Sequence, residues 1–108
     1  MADLMEFNSG NWIEEVLKSR KRVLVEFGAD WCEPCRRQNI ILRQLAGELG
    51  DQVKIGRVDF DRNDNLAYHY QVFGIPALLV IDQGKVREFF EGVTDLDSLR
   101  RALKSPMV

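Results

Sequence analysis

The sequence contains one histidine, two cysteines and three prolines among 108 residues, and each scarcity removes a class of protein. Two cysteines cannot build the framework of a small disulfide-stapled secreted domain, which needs several at wide spacing. The lone His69, beside one cysteine pair, leaves a four-ligand zinc site short of donors. It reads instead as a surface residue on a short helix, between Tyr68 and Tyr70. No apolar run approaches the roughly 20 residues of a membrane span. The opening Met1-Ala2-Asp3-Leu4-Met5-Glu6-Phe7 carries acidic residues where a secretory leader needs a continuous apolar stretch. Cytoplasm is the expected location. Charge of one sign is missing as well: 15 basic and 17 acidic residues interleave to a net charge of -2. The polybasic field that drives binding to phosphate backbones is therefore absent, and neither nucleic acid nor membrane is an expected partner.

What is present is the composition of an ordinary soluble domain, 45% hydrophobic and 30% charged. With no repeat, low-complexity tract or Gly/Ser/Pro linker, one domain is expected from residue 1 to residue 108. Asn8 or Ser9 is placed to cap a helix carrying Trp12, Ile13, Val16 and Leu17 on one stripe, ending at Lys18, Arg20, Lys21 and Arg22. Val23-Leu24-Val25-Glu26-Phe27 then reads as a strand covered on both faces. A long helix runs from Cys32 to Leu49, with Leu42, Leu45, Ala46 and Leu49 at helical spacing and Gly50 as its stop. Val53–Val58 predicts a strand and Asn65–Tyr70 a short helix. Strands at Ala77–Ile81 and Lys85–Phe90 flank the turn Asp82-Gln83-Gly84, and Asp95 caps a last helix through Leu96, Leu99 and Leu103. Crossover helices followed by a hairpin imply an α/β chain with a mixed sheet between helices.

Cys32 and Cys35 lie three apart at the start of the long helix, where Cα atoms are about 5–6 Å apart and a disulfide fits. As a staple the ring is poor, worth only about 2 kcal/mol in the loop-entropy treatment. Redox chemistry explains the spacing better, with an inert buried pair as the alternative. Arg36 follows Cys35, so the haem-attachment motif C-x-x-C-H fails. Cys32, at the junction of loop and helix, faces unpaired N–H groups and the positive end of the helix dipole, which favour thiolate. It is the expected nucleophile. Cys35, one turn further in, is the expected resolving thiol. Pro34 falls in the first turn, where its missing N–H costs nothing.

The segments Val25-Glu26-Phe27, Ala29-Asp30-Trp31-Cys32-Glu33-Pro34-Cys35-Arg36, Gly74-Ile75-Pro76-Ala77 and Glu91-Gly92-Val93 together resemble the thioredoxin family, over essentially the whole chain. The resemblance implies a thioredoxin fold: a mixed central sheet of four to five strands flanked by about four helices. It implies reduction of protein disulfides without a bound cofactor, recharging by a thioredoxin reductase or equivalent donor, and action as a monomer. A cis peptide at Ile75-Pro76 rests on the resemblance alone, because an X–Pro bond is cis in only about 5–6% of cases. A docking rim of Trp31, Gly74, Ile75, Pro76, Gly92 and Val93 follows, where pattern alone reads core and turn residues. On pattern, Glu26 is equally an exposed or a buried carboxylate; the resemblance makes it the buried acid that trades protons with Cys35. Arg57 then aligns close to that acid, with a surface arginine as the alternative.

Several positions depart from the family. Glu33 stands where glycine is usual and Glu26 where aspartate is usual. The Glu33 charge is expected to oppose the Cys32 thiolate and make the couple more reducing, although Glu is also favourable in a first helical turn facing solvent. Gly28 replaces a frequent aromatic, which is expected to loosen the wall beside the site. Ile40 replaces a helix-kinking proline, which predicts a straighter helix, and Ala77 replaces a frequent Thr. Two other readings stay open: a binding or assembly module on the same fold, or a pathway-specific reductase with a dedicated partner.

Overall fold

The apolar run around Glu26 forms β2 (Arg22–Gly28), in the middle of a five-stranded sheet. A computed structural model describes residues 4–105; the part of the leader argument resting on residues 1–3, and the one-domain expectation for 106–108, lie outside the described residues. Strand order is β1-β3-β2-β4-β5, with β1 (Met5–Phe7) and β3 (Val53–Asp59) joining β2 in parallel. On the other side β4 (Ala77–Asp82) and β5 (Lys85–Glu91) run antiparallel. Helices α1 (Glu33–Leu49), α2 (Asp64–His69) and α3 (Leu96–Lys104) complete the α/β architecture.

Alternation along β2 divides the core in two. Val23, Val25 and Phe27 join Trp12 and Val16 on one face, while Leu24 joins Leu42, Leu45 and Leu78 on the other. Glu26 has the parity of Leu24 and pairs with Leu78 of β4, so its carboxylate is directed to the α1 face. The expected hairpin turn forms with positive φ at both central residues, 51° at Gln83 and 80° at Gly84, as a two-residue connection between twisted strands requires.

Two expectations are corrected at the N-terminal end. The first regular element is a strand, β1, for which the pattern gave no signal. It lies so close to β3 that a Cβ on Gly56 would stand 2.6 Å from the Phe7 ring and 2.7 Å from the Met5 carbonyl. The expected helix is a five-residue π-helical turn, Ile13–Leu17, closed by the Lys18 N–H on the Ile13 carbonyl at 2.9 Å. Wider winding takes Ile13 off the apolar stripe and leaves it 57% exposed, while Trp12 and Val16 stay buried. Asn8 does cap the preceding turn, its Oδ1 accepting from the N–H groups of Gly10 and Asn11.

Candidate functional site

Where β2 ends, the chain turns through Ala29-Asp30-Trp31 and enters α1 with Cys32 as the capping residue. Cys32 is extended (φ -91°, ψ 108°), and its Sγ accepts the Cys35 N–H at 3.2 Å. The two cysteines form a disulfide with Cα atoms 5.2 Å apart. Cys32 retains 5% exposure and Cys35 none. Glu33 and Pro34 occupy the first two helical positions, and α1 continues unbroken through Ile40 to Leu49.

The Ile75-Pro76 peptide is cis. Ile75 packs against the small cluster of Ala29, Cys32 and Cys35. The Gly92 N–H donates to the Pro76 carbonyl at 2.9 Å, which brings the Gly92-Val93 segment to the same side. Trp31 is 67% exposed, and its indole N–H is held by Asp61 Oδ2 at 2.7 Å. Nothing local in the sequence joins Asp61 to a tryptophan 30 positions earlier.

Glu26 is fully buried. Arg57, its neighbour across β2 and β3, places Nε 3.4 Å from Glu26 Oε1 and a second nitrogen 3.8 Å from the exposed Asp30. At that distance the contact is an ion pair and not a hydrogen bond, and no described residue supplies either Glu26 oxygen with a donor. Burial therefore outweighs the nearby positive charge and pushes the Glu26 pKa up to about 7.

Gly28 does not loosen the wall, contrary to expectation. A Cβ there would lie 3.2 Å from Cys35 Sγ and 3.5 Å from Glu26 Cδ. The space is already taken by the Cys35 side chain and the Glu26 carboxyl, which flank the position a Gly28 Cβ would occupy. On the solvent side a cavity of about 70 Å³ opens between Gly28, Ala29, Asp30, Arg57 and Asp59.

Glu33 points outward with its side chain 69% exposed, 3.4 Å from Arg36, and Arg36 in turn donates to the Asp30 carbonyl at 2.8 Å. His69 is exposed and stands edge-on to Tyr70. Among the described residues no cluster of three or more His, Cys, Asp or Glu is arranged to hold a metal, and no helix is long and apolar enough to cross a membrane.

A family model described as Thioredoxin matches residues 3–105. A thioredoxin of Acidithiobacillus ferridurans is 35% identical over 108 residues, covering 99% of this chain and 100% of the relative. A thioredoxin of Thiocapsa roseopersicina is 40% identical over 73 residues, 68% of this chain and 80% of the relative. The chain also matches part of a bifunctional thioredoxin reductase/thioredoxin of Mycobacterium leprae (strain TN), 31% identical over 92% of this chain and 22% of that longer protein. With its cysteine pair closed at the mouth of α1 and a match along nearly its full length, this chain belongs to the thioredoxin family and is a thiol-disulfide oxidoreductase that reduces protein disulfides.

Proposed function

We propose that Cys32 attacks and Cys35 resolves, with Glu26 as the proton-transfer group. The Cys32 thiolate displaces one sulfur of a substrate disulfide, giving a mixed disulfide and a substrate thiolate. Cys35 then loses its proton, attacks Cys32 Sγ and expels the second substrate sulfur. Two electrons pass to the substrate, and the Cys32–Cys35 disulfide remains. A thioredoxin reductase or equivalent dithiol donor, a pairing named in one relative, returns the two electrons.

The observation that carries these roles is the asymmetry at the helix mouth. Cys32 Sγ receives the Cys35 N–H at the positive end of α1, an arrangement that favours a thiolate there. Cys35 is enclosed beside Glu26, whose pKa near 7 suits it to take a proton and give it back at neutral pH. The adjacent cavity is large enough for water, which needs about 10–15 Å³ of probe volume, and Arg57 lines it.

Substrate docks along Trp31, Gly74, Ile75, Pro76, Gly92 and Val93. The Ile75 N–H and C=O form no backbone hydrogen bond with another described residue, so an extended peptide finds both a donor and an acceptor there. The protein works as a monomeric single domain in the cytoplasm, without a cofactor. Trapping tests the division of labour: Cys35→Ser should accumulate mixed disulfides with protein substrates, and Cys32→Ser should not. Accumulation with Cys32→Ser instead reverses the roles.

A further inference from the structure

Gln38 sits on α1 one turn beyond Cys35, and its side chain has no solvent exposure. Its Nε2 donates to the Thr94 carbonyl at 3.0 Å, while its Oε1 accepts the Thr94 N–H at 2.7 Å. One side-chain amide thus pairs with both backbone groups of one residue, as a neighbouring strand would. Thr94 Oγ1 donates to the Gly92 carbonyl at 3.1 Å, and the Gly92 N–H reaches the Pro76 carbonyl at 2.9 Å. An unbroken series of hydrogen bonds therefore runs from the helix bearing the cysteines to the cis-proline loop.

We infer that Gln38 is a positioning residue for disulfide exchange with protein substrates: it straps the Gly92–Thr94 segment, and through it the Pro76 loop, to the helix that carries Cys35. The inference rests on the reading of Ile75, Gly92 and Val93 as part of the docking rim. Burying an amide costs free energy that apolar packing at the same site avoids. The two bonds it makes fix a segment that otherwise has few restraints, and a loop held in its bound shape spares the substrate the entropy of ordering it. Small disulfides, which reach Cys32 without touching the rim, are indifferent to the strap.

Single-turnover reduction of insulin by the pre-reduced protein, followed by tryptophan fluorescence, separates half-saturation from limiting rate. Gln38→Leu, which keeps the size and loses both bonds, should raise half-saturation about tenfold, the loss of a net hydrogen bond or two, with the limiting rate unchanged. Its rate with oxidised glutathione should stay within about twofold of wild type, and the Thr94 amide should exchange hydrogen faster. Gln38→Glu keeps the acceptor half of the pair and should give an intermediate half-saturation; it also serves if Gln38→Leu does not fold. An unchanged half-saturation in a folded variant, or an equal loss with glutathione and insulin, overturns the inference. Val93→Asp separates the two levels: if it weakens insulin binding and Gln38→Leu does not, the strap alone fails. If neither variant weakens it, the docking rim itself is wrong.

Discussion

The guanidinium of Arg57 stands 3.4 Å from the carboxylate of Glu26, yet neither oxygen of that buried group receives a hydrogen bond from a described residue. The charge is tolerated without being fully compensated. Protonation of Glu26 is therefore coupled to folding.

Glu26 gives a signed prediction for stability. In the unfolded chain its proton leaves near the ordinary value of 4.5, and in the folded protein near 7. Between those values the folded state holds more protons, so stability falls as pH rises, by up to ~3 kcal/mol across the window, and is flat for this group outside it. Urea unfolding from pH 4 to 8 should show that decline in the wild type, and Glu26→Gln should abolish it. Matching profiles in the two proteins would falsify the buried, late-ionising carboxyl.

Arg57→Leu should act only where Glu26 is ionised. Arg57 supplies the largest opposition to the desolvation of Glu26. Its removal should carry the titration above pH 7, and should destabilise by roughly 1–3 kcal/mol at pH 8.5, below the cost of breaking a fully buried pair because Arg57 is partly wet. At pH 5 the acid is neutral and the variant should match the wild type closely. A loss of equal size at both pH values points to lost packing instead of lost charge.

For Glu33 the exposed position predicts a small effect on the Cys32 thiolate. Its carboxylate is in solvent and paired with Arg36, a geometry in which ion pairs carry less than ~1 kcal/mol. Glu33→Gly should speed alkylation of reduced Cys32 by iodoacetamide less than about fivefold. Arg36→Ala should slow it slightly, since the neighbouring carboxylate then loses its compensating charge. Acceleration in both variants contradicts this account.

Gly28→Ala should destabilise by about 1–3 kcal/mol, because the new methyl meets Cys35 Cβ at 3.3 Å and Sγ at 3.2 Å. Part of that cost should vanish in a Cys35→Ala background, where the sulfur is gone. Denaturant melts of the four proteins in reducing buffer give the coupling directly. Strict additivity shows that the methyl and the sulfur do not meet.

The features legible in the chain were those written at short range. Cys32, Pro34 and Cys35 declare a redox pair at a helix start because spacing along a helix fixes their distance. The turn at Gln83-Gly84 and the cap at Asp95 are equally local, and both formed as read. Three-residue β1 left no pattern because so short a strand has no period to display, and it exists only by pairing with β3.

Sequence by itself determined the reactive pair, the order of elements from β2 onward and the alternating faces of β2, since these follow from backbone periodicity. Only the tertiary structure decided that Glu26 is buried, that Gly28 is filled by Cys35 and not open, that Asp61 holds Trp31, and that Gln38 straps Thr94. Each of these joins groups on separate elements or depends on what covers them. Burial and hydrogen bonding belong to the packed neighbourhood, and the neighbours are chosen by the whole fold.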